Sequence, residues 1–247
     1  MFFCVYEKSF FLFLCVLAGS LFFTAGAQSQ FTGWTALFTT FKTGKKTSIH
    51  ADVQLRSTDE IKQVQTLLLR TGLNIHLNKK IIITAGYAFI RNKRIISNVS
   101  GFAPEHRIWE QLIYNHKLKN IFTTHRLRLE QRFISKSIIV NNELKNDGTL
   151  YANRFRYFIR NILSLKTETP FKKGIFAALQ NEVFVNIGKT SNVNGEFFDQ
   201  NRFYLAPGYR LHAKTDLEIG YMNQYVNGRG NQFTNNHIVQ LAGYLRL

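Results

Sequence analysis

Residues 124–133 read Thr-His-Arg-Leu-Arg-Leu-Glu-Gln-Arg-Phe. Thr124, Arg126, Arg128, Glu130 and Arg132 share one parity, and His125, Leu127, Leu129, Gln131 and Phe133 share the other. A strand sends alternate side chains to opposite faces, so the segment has one charged face and one mainly apolar face. A helix would wind the same charges around much of its circumference and leave no clean apolar stripe. The segment is therefore read as a strand. The crowding of ionised groups on one face calls for an enclosed aqueous or ion-paired space, while the leucines opposite call for hydrocarbon. Together they predict the wall of a transmembrane β-barrel.

The same alternation recurs along the chain, in segments at 31–41, 48–57, 63–77, 80–91, 105–117, 120–134, 151–166, 173–187, 201–213, 215–227 and 234–247. Ile49, Ala51, Val53 and Leu55 alternate with His50, Asp52, Gln54 and Arg56. Phe155, Tyr157 and Ile159 alternate with Arg154, Arg156, Phe158 and Arg160, and Leu217, Ile219 and Tyr221 with Asp216, Glu218, Gly220 and Met222. Segment 105–117 is ambiguous, because Trp109 and Glu110 fit either parity poorly. Strands of globular sandwiches run about 5 to 6 residues. These are about twice as long, the length a tilted strand needs to cross a bilayer.

Connectors alternate too. Short ones fall at 78–80, 117–119, 166–172 and 212–214, and long polar ones at 92–104, 135–150, 188–200 and 228–233. Short turns at one rim and long loops at the other are the layout of outer-membrane barrels, with the short turns periplasmic. Phe41, Phe89, Tyr151, Tyr204 and Tyr225 are placed to supply interfacial girdles. The strand count is open between 10 and 12. An even number is usual, so 31–41 is expected to be a plug or an extra edge, or else a twelfth strand has no evident sequence signal.

The chain has 247 residues, 45% hydrophobic and 14% aromatic, enough for one domain with no composition shift to mark a second. Its net charge of +17 suits nucleic acid, an anionic membrane surface or a small anion in a basic channel. Apolar faces that would meet water argue against a secreted nucleic-acid-binding protein. At the start, Lys8 precedes an apolar stretch over 9–23 and then Thr24-Ala25-Gly26-Ala27, which describes a cleavable secretory signal over 1–27 and a barrel domain over 28–247. Leu14 before Cys15 disfavours lipoprotein processing. Both cysteines, Cys4 and Cys15, lie in that leader, so the remainder has no disulfide, thiol nucleophile or thiolate metal site.

Chemistry is expected first in the charged interior, at Arg70, Arg126, Arg128, Glu130, Arg132, Arg154, Arg156, Arg160, Glu182, Arg202, Arg210 and Glu218. These residues read either as a structural network, with Glu130, Glu182 and Glu218 bridging arginines of neighbouring strands, or as an arginine-lined path for phosphate or carboxylate. A second candidate is Ser48, His50 and Asp52 on one strand face, the residue types of a barrel lipid hydrolase. Same-face neighbours stand about 6.6 Å apart by strand rise, and no G-x-S-x-G elbow is present. The seven histidines show no metal-ligand spacing, and no glycine-rich phosphate loop appears. No cofactor is expected. Arg91, Lys93, Arg94, Lys136 and Lys145 fall in the long connectors, where lipopolysaccharide phosphates would be neighbours.

Several clusters resemble the domain-of-unknown-function family 2490, understood as outer-membrane β-barrels. They are Trp34, Glu105-His106-Arg107-Ile108-Trp109-Glu110-Gln111, Arg126-Leu127-Arg128-Leu129-Glu130-Gln131-Arg132, Arg154-Phe155-Arg156-Tyr157, Asn181-Glu182, Asn201-Arg202-Phe203-Tyr204 and Gly220-Tyr221-Met222. The resemblance implies a fold and a place in the cell outer membrane, and no catalytic residues. Outer-membrane lipid and lipopolysaccharide are the expected partners, with barrel-assembly machinery during insertion, although the chain ends on Leu247 and not on the usual terminal aromatic. The expected role is a structural or binding barrel or a narrow anion-preferring channel, with a lipid or lipopolysaccharide hydrolase as the alternative.

Overall fold

A computed structural model describes residues 28–165, 170–230 and 232–247. The signal read over 1–27 lies outside the described residues, as does part of the turn at 166–172. Eleven strands form one closed barrel: β1 (Gln28–Lys42), β2 (Thr47–Ser57), β3 (Val64–His76), β4 (Ile81–Ile96), β5 (Val99–Leu118), β6 (Ile121–Val140), β7 (Glu143–Ser164), β8 (Gly174–Ile187), β9 (Phe198–His212), β10 (Thr215–Asn227) and β11 (Phe233–Arg246). Each strand pairs antiparallel with its chain neighbours. Among the described residues there is no α-helix, only short 3-10 turns at Asp59–Ile61 and Thr190–Asn192.

Segment 31–41 is neither plug nor spare edge. It belongs to β1, a full wall strand that pairs antiparallel with β2 and parallel with β11, from Gln28↔Thr234 to Thr40↔Arg246. An odd number of up-and-down strands makes the first and last run the same way, so closure requires one parallel seam. β1 therefore starts at the rim of the long connections, and β11 ends at the rim of the short turns.

Two expected loops are strand instead. β4 and β5 stay paired out to Ile96↔Val99, and β6 and β7 out to Val140↔Glu143. The turns between them are Ser97-Asn98 and Asn141-Asn142, each with two successive positive φ angles (46° and 66°; 52° and 61°). That geometry matches the twist of a two-residue hairpin, and asparagine tolerates it. Polar side chains on both faces of these arms hide the period of two.

The parity at 124–133 holds around the wall. Leu73, Ile108, Leu127, Leu217 and Leu241 stand outward with 40–51% of their surface exposed, in a continuous apolar band. The interior opposite combines polar groups with apolar clusters, one of Trp34, Phe176, Ala178, Tyr204, Ala206, Met222 and Ile238, the other of Leu68, Ala88, Ile90 and Trp109. Interior rings lie against strand glycines. A Cβ on Gly86 would fall 2.4 Å from the Trp109 ring, and one on Gly208 2.3 Å from Phe176. The missing side chains let large rings lie flat against the wall. Trp109 thus points inward with Glu105, Arg107 and Gln111, while Glu110 points outward and accepts a hydrogen bond from Gln131 Nε2 at 3.1 Å. An indole inside and a carboxylate outside explain why 105–117 fits neither parity.

Candidate anion-binding lumen

Buried charge is tolerated when it is paired, and the interior pairs it across strands. Glu130 on β6 accepts from Arg154 at 2.7 Å and Arg156 at 2.5 Å, both on β7, with Arg107 on β5 at 3.7 Å. Glu182 on β8 accepts from Arg156 at 2.7 Å and Arg126 at 2.6 Å. Glu105 on β5 takes Arg107 and Arg132, each at 2.6 Å. Arg154 also reaches Asp199 at 2.9 Å. Glu218 on β10 pairs across the lumen with Arg160 on β7, and Asp216 pairs with Arg210 and Arg246.

A cavity of about 670 Å³ runs through this network, lined by residues from all eleven strands. Its lining includes eleven arginines and two carboxylates, Glu105 and Glu182. The carboxylates behind the lining are offset in part by Arg128 and Arg210, so guanidinium stays in excess. The excess is sharpest at Trp34. Arg56 lies 4.0 Å over the indole and Arg202 lies 5.1 Å from it. Arg56 donates to Gln54 at 2.9 Å and Arg202 to Gln200 at 3.4 Å. Neither has a carboxylate within 4 Å among the described residues, and Arg56 Nε is buried without an acceptor. Two guanidinium forks beside an open space match the oxygens of phosphate or carboxylate.

All twelve residues expected inside face the lumen. Arg70, Arg126, Arg132, Arg154, Arg156, Arg160, Glu182 and Arg202 line the cavity, while Arg128, Glu130 and Glu218 are buried behind it and Arg210 holds Asp216. The charged interior also holds Arg56, Glu105, Arg107, Asp199, Asp216 and Arg246, which the sequence reading left out of it, and Asp52, which that reading placed only with Ser48 and His50. For Glu105 and Arg107 the signal was present, because they share the parity of Trp109 and Gln111. Asp199 sits at a register shift that breaks the alternation, and Arg246 meets its partner only through closure of the β10–β11 hairpin.

Ser48, His50 and Asp52 do not form a triad. His50 bonds Asp52 at 2.9 Å, while Ser48 Oγ lies 2.8 Å from His76 Nε2 on β3. A polar ladder sets the roles. Arg128 donates to Gln111 Oε1, Gln111 to Thr84 Oγ1, Thr84 to Asn74 Oδ1, and Asn74 Nδ2 to Ser48 Oγ at 3.0 Å. With one lone pair of Ser48 Oγ taken by Asn74, the hydroxyl proton donates to His76 Nε2 in the tautomer that leaves that nitrogen unprotonated. Among the described residues no group of three or more His, Cys, Asp or Glu is placed to hold a metal ion.

The fold and lumen define an all-β closed barrel with an apolar exterior and an ion-paired, arginine-rich interior. The chain belongs to a family described as protein of unknown function (DUF2490), matched over residues 31–235. It is also similar to an uncharacterized protein of Methylorubrum extorquens, 24% identical over 200 residues that cover 79% of each chain.

Proposed function

We propose that this protein is an outer-membrane barrel, inserted with its short turns toward the periplasm, whose lumen binds small oxyanions and passes them along a narrow anion-preferring path. The supporting observation is the cavity lining, eleven arginines against two carboxylates, with Arg56 and Arg202 beside Trp34 and without a carboxylate within 4 Å among the described residues. Such a field concentrates anions and repels cations, while the narrow lumen of a small barrel limits flux. The outward apolar band supports a bilayer setting, since exposed apolar surface of that extent marks a membrane or partner face. Planar-bilayer recording across a salt gradient tests the reading. The expected result is small conductance steps with a reversal potential on the anion side, moved toward zero by Arg56→Gln with Arg202→Gln. Bilayers without steps, or cation preference, would remove the path.

A second reading is favoured by one contact, Ser48 Oγ to His76 Nε2 at 2.8 Å, which has the geometry of a nucleophile and its base. Under it the protein is a hydrolase of lipid esters. Ser48 attacks the ester carbonyl, His76 takes the serine proton and gives it to the departing alcohol, and water then releases the acid. Labelling of Ser48 by a fluorophosphonate, lost in His76→Gln, supports this reading, and an unlabelled folded protein excludes it.

A further inference from the structure

The two rims differ in how their lysines are neutralised. At the rim of the long connections, Lys62 pairs with Glu60, Lys136 with Asp147 at 3.3 Å and Lys145 with Glu143 at 3.9 Å, while Lys93 donates to Gln63 and Lys189 has no carboxylate within 4 Å among the described residues. At the short-turn rim stand Lys42, Lys45, Lys46, Lys79, Lys80, Lys117, Lys119, Lys172, Lys173 and Lys214. None of them has a carboxylate within 4 Å among the described residues. This collar accounts for much of the +17 charge.

Within the collar a second cavity of about 670 Å³ opens beside the seam. Lys42, Lys45, Lys46, Lys79 and Lys214 ring it, joined by Arg246. Leu77 and Leu247, each 54% exposed, contribute hydrocarbon to its walls together with the lysine stems. Ser48 and His76 lie at its inner end, and Thr40 and Arg246 line both this cavity and the central one. Cations around an aliphatic-walled space select a ligand with an anionic end and an apolar end. Lysine ammonium groups are point-charge partners for phosphate.

We propose that this rim pocket is a binding site for a phosphate-bearing group, of the kind carried by an anionic membrane lipid. Apart from Thr40 and Arg246, which it shares with the central cavity, it lies outside the arginine lumen, and it does not depend on conduction. The lysine collar draws the phosphate in, and Leu77 and Leu247 hold the adjoining acyl segment.

The test titrates the folded full-length protein in a neutral detergent with short-chain phosphatidylglycerol, with phosphatidylcholine of the same chain length, and with inorganic phosphate. Isothermal calorimetry reads binding, and heat-modifiable migration checks that each variant is folded. Phosphatidylglycerol is expected to bind saturably and more tightly than phosphatidylcholine. Lys45→Gln, Lys46→Gln and Lys79→Gln together are expected to weaken it by about tenfold or more, as polybasic attachment scales with each lysine. Lys136→Gln with Lys145→Gln at the other rim is expected to leave it unchanged. Displacement of the lipid by millimolar inorganic phosphate makes the free anion a sufficient ligand, and no displacement makes the lipid the ligand. Equal binding of the two lipids, or binding indifferent to the rim substitutions, overturns the proposal.

Discussion

Glu130→Gln removes the centre of the lumen network with almost no change in shape. The carboxylate is 2% exposed and accepts three charge-assisted bonds, from Arg154 Nε at 3.0 Å, Arg154 Nη2 at 2.7 Å and Arg156 Nη1 at 2.5 Å. Arg107 and Arg128 add weaker attraction at 3.7 and 3.9 Å. Bonds to charged groups contribute about 1.5–3 kcal/mol each. The loss is smaller than three such bonds, since glutamine keeps one acceptor, Arg154 keeps Asp199 and Arg156 keeps Glu182. About two bonds are therefore lost, in an interior already rich in positive charge. The expected destabilisation is about 3–5 kcal/mol, the range for breaking a buried pair from one side. Urea unfolding of the barrel in phospholipid vesicles measures it. Asp147→Asn, which breaks the half-exposed Lys136–Asp147 pair, is the control and is expected to cost under about 1 kcal/mol. Adding Arg128→Gln to Glu130→Gln is expected to recover part of the loss, because Glu130 is the one carboxylate within 4 Å of Arg128 among the described residues. A Glu130→Gln cost below about 1 kcal/mol would refute the view that this carboxylate holds the interior together.

Gly86→Ala places a Cβ 2.3 Å from the Thr71 carbonyl oxygen and 2.4 Å from the Trp109 ring, so it is expected to cost about 1–3 kcal/mol or more, seen as loss of the folded band on unheated gels. Leu127→Arg, on the outward face of β6, is expected to cost about 2–4 kcal/mol for unfolding from a bilayer if the residue lies near mid-depth. An epitope placed before Gln28 is expected to be shaved from whole cells by protease while one after Leu247 is protected, because β1 and β11 run parallel from the long-connection rim.

The wall was legible in the sequence because its two faces carry different side chains, apolar outside and charged or polar inside. Where one parity is Leu127 and Leu129 and the other Arg126 and Arg128, no other regular structure separates them. Legibility failed where that contrast fades. The hairpin arms around Ser97-Asn98 and Asn141-Asn142 mix polar and apolar side chains on both faces, as at Arg94-Ile95-Ile96 and Ser137-Ile138-Ile139, and do not alternate. Trp109 is apolar yet interior, since Gly72 and Gly86 open the wall beneath it. The parallel seam leaves no local trace, because it is a property of the strand count. The site was half legible. Arginines announce themselves by parity, but their pairing does not, since Arg160 and Glu218 are 58 positions apart and Arg154 and Asp199 are 45 apart. The side-by-side order of β7, β8, β9 and β10 sets these distances.

Residues 28–247 contain no cysteine, so single cysteines can be introduced one at a time along 124–133. Spin labels at these positions, read for collision with oxygen and with a water-soluble nickel chelate in a reconstituted bilayer, test the separation of solvents directly. High oxygen and low nickel collision is expected at 125, 127 and 129, and low oxygen collision at 126, 128 and 130. Nickel access at the leucine positions would contradict it.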